Sequence, residues 1–399
     1  MATSPNITKI DITEFKYYVE DLGQTSGVQA TYTPGGRNLQ HRFALRIHTD
    51  AGVTGEYIPA RGRTGPVLAQ VEFLIPLLLG RPALERERLY LEMRMATRHL
   101  DGTGIGPLDV CLWDLAGKHH GASIAQLLGG WRTRMPVYVS TIAGDRNGGL
   151  DSPAAYADYA EQCRALGYRA FKLHIWQHFE VREVVETVLA VRKRVPDMDL
   201  MIDPAGHLMT FADVVKVGRA CDEAGFFWME DPLCPGGFSI HAHRKLRETI
   251  RTPLLLTEHI RTPEGRTDFV AHGGTDFVRT DPDYDGGITG SLKDAAMAAG
   301  FGLDIEVHCA GPAQRQLVAA IRNTNYLEGG LSHPKCRTVN PPVYLDGYSD
   351  ELDAIDADGC LPIPDGPGLG VRYDWVAIEK MATDKRAFEA GTDHNRPFV

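Results

Sequence analysis

The fold of this chain is decided by DLMIDPAG (199–206), FFWMEDPL (226–233) and LLLTEH (254–259), three short apolar runs that each end near an acidic residue. The acidic residues are Asp203, Glu230 and Glu258, and the intervals between them are 27 and 28 residues. Such an interval is typical of one strand, one helix and two loops of a βα barrel. Adjacent parallel strands lie about 5 Å apart, so the three carboxylates are expected to converge on one cation. Ligation by oxygens alone, with open positions for water and substrate, is typical of Mg²⁺. A single acidic residue often only caps a strand near the surface, but three at one period favour a metal site.

Length and composition are typical of a soluble enzyme with two domains or one elaborated barrel. The chain has 399 residues, a net charge of −10 and a pI near 5.8. This acidity argues against nucleic acid or an anionic membrane as a partner. The N-terminus lacks the basic and apolar regions of a signal peptide, and no apolar run approaches the roughly 18 residues of a membrane span. The seven cysteines are scattered, without a CxxC pair. This pattern predicts a reducing cytoplasm and neither disulfides nor structural zinc.

Hydrophobic periodicity divides the chain into an N-terminal antiparallel part and a long alternation of strands and helices. Residues 7–20 and 41–58 alternate like strands of a meander. Residues 21–38, rich in Gly, Thr and Ser, are predicted to be a loop that is disordered or closes over the site. Eight strands then alternate with helices, which predicts a closed parallel barrel. The predicted strands are 137–143, 169–175, 199–203, 226–231, 254–258, 277–281, 303–308 and 326–329.

Nearly every predicted barrel strand ends in an ionisable group, and function in such a barrel lies at these carboxyl ends. The second strand ends with Lys172 and His174, which are two residues apart and therefore on one face. The sixth strand ends at Asp281, the seventh ends at His308, and the eighth carries Glu328. Together with the three acidic residues, these side chains are expected to surround one point.

These residues predict proton abstraction from the carbon next to a carboxylate. A divalent ion that holds a substrate carboxylate makes the adjacent proton more acidic and stabilises the resulting ene-diolate. The second and seventh strands lie on opposite sides of the metal strands, so His174 and His308 can present bases to two faces. Asp281 can orient His308, and Lys172 would keep His174 neutral by like-charge repulsion. The structural alternatives are a core histidine for His308, an edge lysine for Lys172 and a merely structural His174.

On these residues the chain resembles the enolase superfamily, in its mandelate racemase-like branch. The matching motifs are the K-x-[KH] pair Lys172 and His174, the ligands Asp203, Glu230 and Glu258, the pair Asp281 and His308, GGIT (286–289) and PDGPGLG (364–370). The resemblance implies an α/β fold, namely a modified (β/α)7β TIM barrel with an N-terminal α+β capping domain, and bound Mg²⁺. It implies that Glu328 hydrogen-bonds the substrate carboxylate. It also implies a capping domain over 1–130, a catalytic barrel over 131–350 and a segment over 351–399 that returns to the cap.

Two departures from the branch leave roles open. The second-strand pair usually ends in a lysine, and this chain has His174 there. His174 is expected either to act as a base or to bind a substrate hydroxyl while His308 alone moves protons. The first metal ligand is commonly followed two residues later by Asn, where this chain has Ala205. His207 is expected either to supply that polar contact or to lie in solvent.

The resemblance implies a lyase that acts on a sugar acid. Loss of the proton alpha to the carboxylate, followed by loss of the β-hydroxyl, would give a 2-keto-3-deoxy acid. The alternatives are racemisation or epimerisation, cycloisomerisation of a lactone or anhydro-sugar acid, and a binding protein that kept the barrel without its chemistry. Substrate contacts are predicted for the cap residues Tyr32, Thr33 and Arg61. The choice between a monoacid and a diacid stays open, and the branch implies a homo-oligomer.

Overall fold

The structure is a computed structural model that describes residues 4–25, 29–60, 64–336 and 340–391. Its N-terminal part combines antiparallel strands with helices. In the first strand, buried Phe15, Tyr17 and Val19 alternate with exposed Tyr18 and Glu20, so one face packs inward. The elements are β1 (Ile7–Gln24), β2 (Ala30–Thr49), β3 (Thr54–Tyr57), α1 (Thr64–Leu78), α2 (Arg86–Ala96), α3 (Ile105–His120) and α4 (Ile124–Leu127).

The prediction of a loop over residues 21–38 is wrong, because β1 and β2 continue through most of this segment as one long hairpin. Leu22 pairs with Tyr32 near its end. The backbone N–H of Gly35 donates to Oδ1 of Asp21 at 2.8 Å, and both residues have positive φ, 69° and 58°. The glycines therefore form a bulge inside the hairpin, since a bulge requires backbone conformations that glycine tolerates.

Eight parallel strands form the barrel, and β11 pairs with β4 to close it. This confirms the predicted TIM barrel with an N-terminal cap. The strands are β4 (Arg134–Thr141), β5 (Ala170–His174), β6 (Asp199–Asp203), β7 (Trp228–Glu230), β8 (Leu254–Leu256), β9 (Phe277–Thr280), β10 (Asp304–Val307) and β11 (Leu327–Ser332). The first seven are each followed by a helix: α5 (Pro153–Leu166), α6 (Val181–Arg194), α7 (Phe211–Ala224), α8 (Ile240–Arg247), α9 (Pro263–Ala271), α10 (Gly287–Gly300) and α11 (Pro312–Ala320).

The C-terminal segment returns to both parts of the molecule. It forms β12 (Cys360–Pro362), α12 (Trp375–Met381) and β13 (Ala382–Glu389). Strand β12 pairs antiparallel with β4, and β13 pairs with β1, so that Glu389 lies opposite Lys9. The division of the chain at residues 130 and 350 stays a prediction. Within the described ranges, no helix is both long enough and apolar enough to cross a membrane.

Candidate active site

A layer of apolar side chains positions the polar groups of the barrel. Tyr138, Ala170, Met201, Trp228 and Leu255, one from each of five neighbouring strands, are fully buried and form a separate apolar cluster. Side chains of a strand return to the same face after two residues, so the next inward positions lie at the carboxyl ends of the strands. These positions are occupied by Ser140, Lys172, Asp203 and Glu230.

Lys172 lies between the carboxylates of three other strands. Its Nζ is 2.8 Å from Oε2 of Glu230, 3.1 Å from Oε1 of Glu328 and 3.8 Å from Oδ2 of Asp203. The side chain is 1% exposed. Burial alone would lower the pKa of Lys172, but the charges of Glu230 and Glu328 raise that pKa well above its usual value. The lysine is therefore a fixed positive charge inside the site.

The predicted metal ligands face one region from three neighbouring strands. Asp203 and Glu258 line the cavity at the barrel mouth, and Glu230 is fully buried beside them. Burial raises the pKa of Glu230 to about 7, against the attraction of Arg279 and Lys172. A carboxylate that resists ionisation in this way gains stabilisation when a cation binds it.

The charges of this cluster fit a divalent cation. When ionised, its groups carry four negative and two positive charges: Asp203, Glu230, Glu258 and Glu328 against Lys172 and Arg279. Two uncompensated negative charges and an all-oxygen donor set suit Mg²⁺. Oε2 of Glu230 and Oδ2 of Asp203 lie 2.8 and 3.8 Å from Nζ of Lys172. Among the described residues, Asp281, His308 and Cys309 form a group whose ligand atoms all lie within 4.8 Å of one another. The three predicted metal ligands do not form such a group. Asp203, Glu230 and Glu258 are the residues that would hold the ion.

His308 and Asp281 form a hydrogen-bonded pair. Nδ1 of His308 is 2.6 Å from Oδ2 of Asp281, and Nε2 is 3.7 Å from Oε1 of Glu258. The backbone N–H of Asp283 donates to Oδ1 of Asp281 at 2.8 Å and holds that carboxylate in place. Burial would lower the pKa of His308, but Cys309, Glu258 and Asp281 raise it well above its usual value. An imidazole held through Nδ1 can exchange a proton through Nε2.

His174 is oriented by the neighbouring strand. Its Nδ1 lies 2.7 Å from the carbonyl oxygen of Thr141, which can only accept a hydrogen bond, so Nδ1 carries the proton. Nε2 is 3.0 Å from Oδ2 of Asp203. Nε2 of His174 therefore faces the carboxylate cluster, on the opposite side from β10.

Both oxygens of Glu328 accept hydrogen bonds or contact cations. Oε1 accepts a hydrogen bond from Oγ of Ser140 at 2.8 Å and lies near Nζ of Lys172. Oε2 accepts hydrogen bonds from Nη2 of Arg279 at 2.7 Å and from the backbone N–H of Cys309 at 2.8 Å. Burial would raise the pKa of Glu328, but Lys172 and Arg279 lower it well below its usual value. Glu328 is therefore ionised in this arrangement.

Arg279 and a second acid–histidine pair also lie at the site, and neither was predicted from the sequence. Arg279 is fully buried, and its Nε is 2.8 Å from Oε1 of Glu230. The sequence signal that could have revealed Arg279 is its position two residues before Asp281, within an apolar strand.

The second pair joins His259 and Asp231. Nδ1 of His259 lies 2.8 Å from Oδ2 of Asp231. Nothing in the sequence marks this pair beyond the adjacency of each residue to a predicted metal ligand.

Left-handed backbone conformations cluster at these strand ends. Ala205, Asp231, Thr257 and Cys309 have φ values of 49°, 34°, 88° and 68°. Each lies within two residues of a predicted site residue. Residues other than glycine adopt this region rarely and at a cost of about 1–3 kcal/mol. The strain is consistent with backbone turns that aim the site residues inward.

A cavity of about 530 Å³ lies between the cap and the barrel mouth. Gln29, Asp101 and Thr103 line it from the cap side, and His174, Asp203, Glu258, His308 and Glu328 line it from the barrel. Nε2 of His207 lies 3.0 Å from Oε1 of Gln29, and His207 lines an adjoining groove rather than this cavity. The predicted contact of His207 with substrate stays a prediction.

The predicted cap contacts lie elsewhere on the hairpin. The ring of Tyr32 stacks on His333, with centroids 4.8 Å apart. Thr33 faces the backbone of β1, where a Cβ added to Gly23 would lie 2.4 Å from its Oγ1. Neither Tyr32 nor Thr33 lines the cavity, and Arg61 lies outside the described residues. Their contact with substrate stays a prediction.

Comparison with known proteins identifies the family. Residues 155–377 match the family described as "Enolase C-terminal domain-like", and residues 30–129 match "Mandelate racemase / muconate lactonizing enzyme, N-terminal domain". The chain is 28% identical to a D-galactarolactone cycloisomerase of Agrobacterium fabrum, over 84% of this chain and 90% of that protein. It is also 28% identical to a D-gluconate dehydratase of Thermoproteus tenax, over 90% and 73% of the two chains.

A solved structure supports the same assignment. It is the structure of a D-glucarate dehydratase from Agrobacterium tumefaciens complexed with magnesium, and its sequence is 28% identical to this chain. The two structures superpose with a TM-score of 0.83, over 95% of this chain and 99% of the other. The chain therefore belongs to the mandelate racemase / muconate lactonizing enzyme family of the enolase superfamily.

Proposed function

We propose that this protein is a Mg²⁺-dependent lyase that dehydrates a sugar acid to a 2-keto-3-deoxy acid. The observation that carries the proposal is the His308–Asp281 pair beside the buried carboxylate cluster. Similarity to sugar-acid dehydratases over most of the chain supports it. Homo-oligomerisation and a cytoplasmic location remain part of the proposal on resemblance alone.

The chain's own residues supply binding, charge and proton transfer. Mg²⁺ held by Asp203, Glu230 and Glu258 would withdraw electron density from the substrate carboxylate and so acidify the proton on C2. Lys172 adds positive charge at the same end of the cavity, since its Nζ is shared between buried carboxylates. His308 is one candidate acceptor of the C2 proton.

The elimination conserves atoms and charge. The C2–H bond breaks, its proton moves to Nε2 of a histidine, and its electron pair forms the ene-diolate. The C3–O bond then breaks as His308 donates a proton to the departing hydroxyl, which leaves as water. The resulting enol tautomerises to the 2-keto-3-deoxy acid. His174, with Nε2 directed toward the cluster, is the candidate base on the opposite face.

Cycloisomerisation is the second candidate. A galactarolactone cycloisomerase matches this chain at the same identity as the gluconate dehydratase. This reaction also begins with removal of the proton alpha to a carboxyl carbon, so the same bases would serve. The two reactions differ in whether the β-leaving group is a hydroxyl or a ring oxygen.

Proton NMR in D₂O with Mg²⁺ tests the proposal against panels of aldonic acids, aldaric acids and their lactones. Dehydration predicts loss of the C2 proton and a new C3 methylene that carries deuterium. Turnover of lactones alone would favour cycloisomerisation. Deuterium at C2 with every hydroxyl retained would favour epimerisation or exchange. Absence of any change across the panels would contradict the proposed function.

A further inference from the structure

A buried acid–histidine pair lies outside the catalytic cluster, in the loops after β4 and β11. Nε2 of His333 is 3.1 Å from Oδ2 of Asp145, and both side chains are completely buried. The carboxylate also accepts the backbone N–H groups of Asn147, Gly149 and Leu150 at 2.7, 3.1 and 2.5 Å. Because β4 and β11 are the strands that close the barrel, this pair joins the two loops at the seam.

The orientation of His333 is determined by its partners. The carboxylate of Asp145 accepts from Nε2–H, and Nδ1 accepts the backbone N–H of Lys335 at 3.1 Å. A Cβ at Gly149 would lie 2.3 Å from the imidazole ring, so the ring fills the space against the loop backbone. Burial lowers the pKa of His333 despite the attraction of Asp145, so the ring is neutral.

The hairpin formed by β1 and β2 in the cap contacts the Asp145–His333 pair and its loop. The ring of Tyr32 stacks on His333 with an interplanar angle of 23°. Nδ2 of Asn147 donates to the carbonyl oxygen of Tyr32 at 2.8 Å, and the N–H of Ala143 donates to the carbonyl oxygen of Ala30 at 3.1 Å. The contact therefore combines ring stacking with backbone pairing and fixes both the distance and the register of the hairpin on the barrel.

This docking places the hairpin over the active-site cavity. Ala30, which is itself docked, and the preceding Gln29 line the cavity. Gln29 also meets His207, which lies after β6, on a different side of the barrel mouth from β11. The hairpin is therefore anchored at the β4–β11 seam and reaches across the cavity toward β6.

We propose that Asp145 and His333 are positioning residues that dock the cap hairpin, through Tyr32, so that the active-site cavity is enclosed before substrate binds. The role of this unit in turnover rests on the proposed function, but the docking itself does not. Neither residue lines the cavity, so each would act on the reaction through its neighbours, namely the hairpin and the strand ends at Ala143 and Leu331.

Hydrogen exchange of the resting protein tests the docking without any substrate. In His333→Ala, the amides of residues 22–25 and 29–33 are expected to exchange about tenfold faster, because stacking and a buried hydrogen bond are both lost. His333→Gln is expected to recover part of the protection, since its Nε2–H can still donate to Asp145. Tyr32→Phe keeps the stacking ring, so its hairpin amides are expected to exchange at the wild-type rate. Tyr32→Ala removes the ring, so its hairpin amides are expected to exchange faster.

A matched control separates docking from general loss of stability. His243 on α8 is also completely buried, far from the hairpin, and His243→Ala removes a comparable ring. It is expected to leave exchange of the hairpin amides unchanged relative to those of β5–β9. Equal hairpin exchange in wild type, His333→Ala and Tyr32→Ala would overturn the proposal. If His333→Ala does not fold, His333→Gln and Tyr32→Ala still decide it.

Kinetics then test the consequence for turnover. A misplaced hairpin weakens enclosure of the substrate, so KM is expected to rise by a larger factor than kcat falls in His333→Gln and Tyr32→Ala. An equal KM in all variants, together with altered exchange, would show that the hairpin docks without serving the site. Absence of turnover in the wild type would contradict the proposed function and leave the exchange result standing.

Discussion

At the scale of single residues, two buried cations make the acidic site possible. Lys172 and Arg279 each contact both Glu230 and Glu328. Isolated carboxylates in the interior would be very costly, so their ionisation depends on paired charges and hydrogen bonds. The same pairing limits the negative charge left for a metal ion. The affinity for Mg²⁺ is therefore expected to depend on residues that never contact the ion.

Arg279→Gln tests how much the pairing of these buried charges contributes to the stability of the protein. Removing one partner of a buried ion pair leaves the other uncompensated, so the free energy of unfolding is expected to fall by about 3–5 kcal/mol. Arg279→Lys keeps the charge and is expected to lose less. Urea unfolding without metal measures both variants. A loss below about 1 kcal/mol in Arg279→Gln, typical of a surface pair, would contradict a structural role for the arginine.

His308→Asn tests the assignment of the proton-transfer group. Asn occupies similar space and can donate to Asp281, but it cannot take up a proton. Turnover is therefore expected to fall by about 10²–10⁴-fold, with little change in stability. His272→Asn, exposed at the end of α9, serves as a matched control and is expected to retain full activity. Full activity in His308→Asn would eliminate the pair as the proton-transfer unit.

His174→Ala distinguishes a base from a substrate ligand. A base on the opposite face predicts loss of exchange or turnover for one C2 configuration only, since His308 serves the other face. A mere hydroxyl contact predicts a higher KM for both configurations with kcat largely retained. NMR with paired C2 epimers measures the difference.

At the scale of elements, the cap and barrel are joined through buried polar contacts between helices. Asp109 on α3 accepts the backbone N–H of Thr289 at 3.0 Å and its Oγ1–H at 2.6 Å, in the first turn of α10. An acidic side chain at a helix N-terminus satisfies free backbone N–H groups and interacts favourably with the helix dipole. Burial nevertheless raises the pKa of Asp109 to about 7, against the hydrogen bonds from Thr289.

This shift predicts a specific pH dependence of stability. The folded pKa of Asp109, about 7, exceeds its ordinary value of 3.8, so the folded state binds the proton more tightly. The contribution of protonated Asp109 is fully present below the ordinary value and is lost as pH rises through about 7. Wild type is therefore expected to lose about 2 kcal/mol relative to Asp109→Asn between about pH 5 and about pH 8. Urea unfolding measures this, and parallel pH profiles for the two proteins would contradict it.

At the scale of the whole molecule, the cap covers a barrel mouth that concentrates negative charge. A ligand that binds only the folded state stabilises it by mass action, by about 2.7 kcal/mol at a hundredfold excess over Kd. Mg²⁺ is therefore expected to raise the Tm of EDTA-treated protein. Glu258→Gln removes one proposed ligand from the cavity wall and is expected to abolish most of the rise. An unchanged Tm of wild type at millimolar Mg²⁺ would place the three-carboxylate site in doubt.

Local patterns allowed much of this architecture to be predicted. The strand–helix alternation indicated the barrel because apolar periodicity depends on near neighbours along the chain. Lys172, Asp203 and Glu230 could be named as candidate site residues because a strand end is visible in the sequence. The hairpin at residues 21–38 was wrongly predicted as a loop, because glycines that form a bulge within paired strands resemble those of an open loop.

The sequence by itself determined which residue types stand at the ends of the strands, and therefore which chemistry could be proposed. Only the tertiary structure decided their partners. Arg279 meets Glu230 from 49 residues away, and His333 meets Asp145 from 188 residues away. Such pairs depend on barrel closure and on burial, which set the cost of an unpaired charge or polar group. Neither quantity is encoded in a local pattern, because both arise only when distant segments exclude water together.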